Sequence, residues 1–240
     1  MTVSASSHIV LIGATSGIGL ATARRAAEAG AAVTIASRRS ESVDRALAQL
    51  PAGVVGRAVD ASSAEAVAGF FDEIGTFDHF AYTAAENLTG FPLADYTVES
   101  AQQFFALRLF HMLDAVRLAV PHLSENGSIT LMSGTAAYRG GTGWTLGTAV
   151  CGAIVSVARS LAVELAPLRV NVVAPGVVRS PLWAQMTEAD REGMYAHLAA
   201  TLPLRRVGEP DDVAKAFLAL MDQDYVTGTV SVVDGGTLIG

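Results

Sequence analysis

The chain has one cysteine, Cys151, and one lysine, Lys215, among its 16 basic residues. A lone cysteine closes no internal disulfide and supplies no thiol cluster. A disulfide-stapled scaffold and a cysteine-based metal site are thereby excluded, and a reducing compartment fits. Charged residues make up only 16% of the 240 and aromatics 7%, against 51% hydrophobic. That composition excludes disordered and fibrous chains and leaves apolar surface for one large core. Mean hydropathy is high at +0.40, yet no uninterrupted apolar run reaches the ~20 residues that span a bilayer. Residues 1–7 carry no basic group ahead of the first apolar stretch, so no signal peptide is expected, and the protein is expected in the cytoplasm with no membrane partner. A formal net charge of −7 argues against nucleic acid as a partner but leaves room for a local anion pocket.

What is present is a rhythm. Short β-branched runs alternate with longer alanine-rich, amphipathic stretches, the βαβα pattern of a parallel sheet covered on both faces. Strands are predicted near 8–12, 32–36, 54–59, 78–83, 127–132, 169–173 and 229–233, and helices near 17–29, 41–49, 63–74, 99–122, 143–165 and 210–222. No repeat, charge block or Pro/Ser-rich linker divides the chain, so residues 1–240 read as one doubly wound α/β domain. Residues 181–206 interrupt the rhythm with mixed aromatic, acidic and alanine-rich helical pieces. An insertion at that point reads either as a lid over a ligand site or as a surface excursion.

The first strand runs into Gly13-Ala14-Thr15-Ser16-Gly17-Ile18-Gly19, and an alanine-rich helix follows. Glycines at this spacing let the chain turn tightly and bring backbone N–H groups up to a pyrophosphate at the positive end of a helix. A dinucleotide site that selects NAD usually places an acid at the end of the second strand, on the ribose 2′-hydroxyl. Here the sequence reads Ala36-Ser37-Arg38-Arg39. An acid would repel a 2′-phosphate, whereas arginines pair with one, so NADP(H) is the expected cofactor. Asp60, after the third strand, is placed either to accept from the adenine amino group or to cap the helix beginning near Ser62 or Ser63.

Gly13 to Gly19 resembles the cofactor loop of the short-chain dehydrogenase/reductase family. The resemblance continues through Asp60, the Leu161-Ala162-Val163-Glu164-Leu165-Ala166-Pro167 run and Arg169-Val170-Asn171-Val172-Val173-Ala174-Pro175-Gly176. It goes on through Arg206 to Ala214 and closes at Tyr225-Val226-Thr227-Gly228-Thr229 and Val233-Asp234-Gly235-Gly236. It implies a Rossmann-type seven-stranded sheet with the cofactor across the carboxyl ends of the strands. It also implies cofactor-side roles for Ala84, Pro175, Gly176, Val178 and Ser180, and a homodimer or homotetramer. Such a protein acts on a small-molecule carbonyl or alcohol.

The same resemblance implies a Tyr-x-x-x-Lys pair on the helix after the fifth strand, with a serine and an asparagine to complete the site. Alignment on the landmarks puts these four positions at Gly147, Cys151, Gly134 and Arg108. None of the five tyrosines is followed four residues later by a lysine anywhere in the chain. Two readings of function follow. The chain is either an NADP(H)-dependent oxidoreductase with a non-standard proton-transfer arrangement, or a catalytically silent NADP(H)-binding scaffold or sensor. A lyase or isomerase reusing the pocket ranks behind both. For the first reading, Arg108 offers a fixed charge for an oxyanion, unless a salt bridge with Glu86 occupies it. Tyr138, beside Arg139, is the candidate proton donor, or an aromatic lining a pocket or dimer contact. Ser133 and Cys151 are weaker candidates: Ser133 has no evident base, and Cys151 is by default a small buried hydrophobe. His111 lies one helical turn from Arg108.

Overall fold

The computed structural model describes residues 3, 5–87, 90 and 92–240. Seven strands form one all-parallel sheet in the order β3-β2-β1-β4-β5-β6-β7. They are β1 (His8–Ile12), β2 (Ala32–Ser37), β3 (Val55–Ala58), β4 (Phe77–Tyr82), β5 (Leu123–Met132), β6 (Arg169–Pro175) and β7 (Val230–Val233). Both faces are buried, as the near-continuous apolar strands require. In β1, Val10 and Ile12 join the core on one face while Ile9 and Leu11 join the core on the other. Helices α3 (Ala64–Ile74), α5 (His111–Ala119) and α6 (Thr145–Glu164) cover the first face, and α1 (Gly17–Glu28), α2 (Ser40–Leu47) and α8 (Pro210–Asp222) cover the second. The strand order reverses between β1 and β4, and their carboxyl ends, Ile12 and Tyr82, lie side by side. A crevice at such a switch point is where open α/β sheets take ligands.

The stretch near 99–122, read from sequence as one helix, is divided. α4 (Val98–Phe105) gives way to a π-helical turn, Ala106–Phe110, before α5 begins. Widening the turn frees carbonyls from the α-helical ladder. One of them, Leu107 O, accepts a hydrogen bond from the Tyr82 hydroxyl at 2.9 Å. Arg108 sits in this turn, at the place where α4 and α5 meet the end of β4.

α6 is long and apolar enough, by length and composition, to cross a membrane. Val150, Ile154, Val155 and Ala158 are buried in the core on the first face of the sheet, and apolarity on that face is what sheet packing demands. Residues 181–206 form a 3₁₀ turn, Pro181–Trp183, and α7 (Glu188–Thr201). A separate small core of Trp183, Tyr195 and Val207 fixes them, with Trp144 packed against it from the start of α6. Arg179 holds the outside of this unit: its guanidinium lies 4.3 Å from the centre of the Tyr195 ring and pairs with Glu192 at 3.1 Å.

Candidate functional site

The glycine loop is pressed against its surroundings. Gly13 has φ +92°, and a Cβ there would overlap the backbone of Ala84 at the end of β4. A Cβ on Gly19 would stand 2.6 Å from Gly13 O and 2.5 Å from Thr83 Oγ1. Gly17 adopts φ +52°, a left-handed conformation that favours glycine. Ser16 precedes α1 without a side-chain capping bond, so the helix presents its first-turn N–H groups and positive dipole end to an anion. Thr15 Oγ1 donates to Ser37 Oγ at 3.2 Å and ties the loop to the end of β2.

Arg38 and Arg39 leave β2 exposed, and neither pairs with a carboxylate among the described residues. Asp60 Oδ1 accepts from the Ser62 amide at 2.9 Å and from its hydroxyl at 2.7 Å. These two bonds, then the nearby Arg38 charge, hold the carboxyl below its usual range. The cap of α3 is Ser63, whose Oγ accepts from the Ala66 amide at 3.2 Å. Asp60 therefore shapes the turn before the helix and leaves capping to Ser63.

Beyond the loop, a cavity of about 460 Å³ opens over the ends of β4, β5 and β6. Of the residues expected on the cofactor side, Ile18, Ala84, Pro175, Gly176, Val178 and Ser180 line it. Of those expected in catalysis, Arg108, Ser133 and Cys151 line it and come together. Tyr138 does not: it ends the 3₁₀ turn Thr135–Ala137 with its side chain turned outward, 48% exposed, and Arg139 lines the cavity instead. The Arg139 guanidinium donates to the carbonyls of Thr237 and Gly240, the latter at 3.0 Å. His111 is likewise absent from the cavity lining.

Arg108 is 8% exposed and heavily engaged. It donates to the carbonyls of Phe104, Glu86 and Asn87, lies 4.3 Å from the centre of the Phe104 ring, and has the Glu86 carboxylate 3.9 Å away. Burial pulls its pKa down, opposed by Glu86, but a guanidinium stays protonated in proteins. The result is a fixed cation held mainly by backbone oxygens. Burial pushes the Cys151 thiol up, only partly offset by Ser133 and the Arg108 charge, so the reactive thiolate is disfavoured. The Ser133 hydroxyl donates to Cys151 O at 2.9 Å. Burial also raises the Tyr82 hydroxyl, already spent on Leu107. None of these three is poised to exchange a proton.

Trp144 lines the cavity, as its place on the loop before α6 leads one to expect, whereas one lining residue, His197, escaped the sequence reading. His197, on α7, lines the wall opposite the sheet with Met194 and Leu198. Helical spacing of these three residues was the available signal, because positions three and four apart share a face. Trp183 lines the cavity beside Trp144, their ring centroids 6.1 Å apart at 70°.

A family model described as enoyl-(acyl carrier protein) reductase matches residues 13–237. A short-chain dehydrogenase/reductase of Malbranchea aurantiaca, malC, is 31% identical, over 97% of this chain and 94% of its own. The solved structure of MalC reductase/Diels-Alderase from the same organism superposes with a TM-score of 0.91 at 29% identity, covering 99% of this chain and 98% of that one. A short chain oxidoreductase of Pseudomonas aeruginosa PAO1, solved with NADPH bound and containing an atypical catalytic center, reaches a TM-score of 0.91 at 28% identity and covers 100% of both chains.

Proposed function

The chain belongs to the short-chain dehydrogenase/reductase family, and from that premise we propose that it is an NADP(H)-dependent oxidoreductase of small carbonyl or alcohol compounds in which a fixed arginine charge replaces the usual tyrosine–lysine couple. One observation carries the reading. A glycine-cradled, uncapped helix start and two arginines that pair with no carboxylate among the described residues accompany a cavity lined by the Arg108 cation. The residues fit the cofactor: the α1 N-terminus takes the pyrophosphate, Arg38 and Arg39 take the 2′-phosphate, and Pro175, Gly176, Val178 and Ser180 flank the nicotinamide end.

Bound NADPH supplies a hydride to the carbonyl carbon, or NADP⁺ accepts one from an alcohol. The protein must then stabilise charge on the oxygen and, in reduction, deliver one proton to it or, in oxidation, remove the hydroxyl proton. Arg108 contributes the positive field, inside a largely apolar cavity where such a field acts strongly. The proton role expected of Tyr138 passes to His197, which lines the cavity and whose ring nitrogens can donate or accept a hydrogen bond. His197 is also solvent-exposed, so water can reach it.

The similar P. aeruginosa oxidoreductase, solved with NADPH bound and containing an atypical catalytic center, supports NADP(H) as the cofactor and a departure from the usual site. The test is NADPH oxidation across a panel of aldehydes and ketones. Slow turnover is expected, falling ~10²-fold in kcat/KM for Arg108→Met and recovering in part in Arg108→Lys. His197→Gln is expected to lower kcat ~10²-fold with a much smaller effect on KM, as removal of a group that acts in the transition state does. Tight NADPH binding with no oxidation of any substrate would overturn the oxidoreductase reading in favour of a silent NADP(H)-binding scaffold.

A further inference from the structure

The position that the family resemblance assigns to the catalytic tyrosine is a glycine, but the space above it is filled. A Cβ built on Gly147 would stand 3.0 Å from Trp144 Cε3 and 3.6 Å from Cζ3. A Cβ on Gly141 would stand 3.2 Å from Trp144 Cδ1. The indole is thus seated between two glycines, one against its five-membered ring and one against its six-membered ring. It is braced edge-to-face by Trp183, which is itself fixed because its Nε1–H donates to Val178 O at 3.0 Å. A side chain at 141 or 147 would press on the ring and require it to shift by a few tenths of an ångström. The sequence Gly141-Thr142-Gly143-Trp144-Thr145-Leu146-Gly147 is one unit that exchanges a tyrosine side chain for an indole wall.

The rest of the cavity is complementary in shape. Gly134, Gly140 and Gly141 expose bare backbone on its floor, which lets a flat ring approach more closely than any side chain would permit. Met194 and Leu198 close the α7 side with flexible apolar groups. Among the described residues, no carboxylate lines the cavity, while Arg108 and Arg139 both do. The space therefore accepts an electron-rich oxygen at one end and an extended apolar face along its length.

Resting on the oxidoreductase reading above, we propose that Trp144 is the specificity wall of this site and that the substrate is a flat, conjugated aromatic carbonyl compound stacked against its indole. Offset or edge-on aromatic contacts add to area burial, so a planar ring gains more here than a puckered one of equal size.

The chain provides its own reporters. It has two tryptophans, and both line the cavity. The probes are 2-naphthaldehyde and its saturated counterpart decahydro-2-naphthaldehyde, titrated by calorimetry into the full chain saturated with NADP⁺. The planar aldehyde is expected to bind at least ~10-fold more tightly, and to quench the remaining tryptophan emission in Trp183→Phe. Trp144→Ala is expected to bring the two affinities within ~3-fold of one another, with Trp144→Phe restoring most of the preference. Gly147→Ala, which drives a methyl against the ring without removing it, is expected to weaken the planar probe ~5-fold or more. Equal binding of the two probes, or a preference that survives Trp144→Ala, overturns the proposal. These are equilibrium measurements. A chain that discriminates between the probes but oxidises no NADPH loses the oxidoreductase reading and keeps the aromatic site, whereas one that turns over both probes equally keeps the first and loses the second.

Discussion

At the scale of single residues, two buried ionisable groups show opposite ways of handling charge, one fixed and one suppressed. Arg108 is the fixed case, a guanidinium that cannot give up its proton and is met by three carbonyls. His79 is the suppressed case. It lies in β4 at 3% exposure with Nδ1 2.8 Å from Ser128 Oγ and no partner for Nε2. Desolvation pulls its pKa from an ordinary 6.5 to about 4. The folded protein thus refuses a proton that the unfolded chain accepts, and the sign follows. His79 stabilises fully above pH ~6.5, and that stability is lost as pH falls toward 4, by up to about 3 kcal/mol at 1.36 kcal/mol per unit. Urea unfolding of wild type and His79→Asn across pH 7.5 to 4.5 should show curves that converge as pH falls. Parallel curves would mean that the imidazole is accessible to protons in the folded state.

At the scale of elements, the glycine loop and α1 behave as one rigid piece clamped to the end of β4. A methyl on Gly19 would meet the Gly13 carbonyl and the Thr83 hydroxyl rather than open space. Gly19→Ala should therefore cost roughly 1–3 kcal/mol of stability, as overpacking does, and reduce NADPH affinity by 10-fold or more because the loop must open to relieve the contact. A variant with wild-type affinity would show that the clamp is not needed to shape the anion site. The elements themselves were largely legible in sequence. Strands apolar on both faces, such as Ile9 to Ile12, announced a sheet covered on both sides, and the glycine spacing after β1 announced the turn. The division of the stretch near 99–122 was not legible, because the π turn at Arg108 is stabilised by a bond from Tyr82, 25 residues away in the chain. For the same reason Tyr138 was expected in the cavity. The neighbouring arginine was visible, but the direction of a short 3₁₀ turn is set by packing. The place of His197 depends on how α7 folds back over the sheet, whereas the seat of Trp144 is local and its three-residue steps from Gly141 to Trp144 to Gly147 are visible in the sequence.

At the scale of the whole molecule, a chain of net charge −7 is asked to bind a polyanion. Overall repulsion is screened within about 10 Å at ordinary salt, so the local arrangement decides. There the α1 N-terminus, Arg38 and Arg39 stand together, with no carboxylate paired to either arginine among the described residues. Binding at this corner joins α1, β2 and the chain after β6, which share the core on the second face of the sheet, so occupancy should report as global stability. A ligand held only by the folded state at 100 times its dissociation constant adds about 2.7 kcal/mol. For a chain of this size, that raises the melting temperature by roughly 5–10 °C. NADPH at saturating concentration should produce this shift and NADH at the same concentration a clearly smaller one, because NADH has no 2′-phosphate for the arginines. In the Arg38→Ala/Arg39→Ala double variant the NADPH shift should fall to the NADH value, while the unliganded melting temperature stays within about a degree, since both side chains are solvent-exposed and pair with no carboxylate among the described residues. Equal shifts from both cofactors in the wild type would remove the arginines from the binding site and with them the preference for NADP(H).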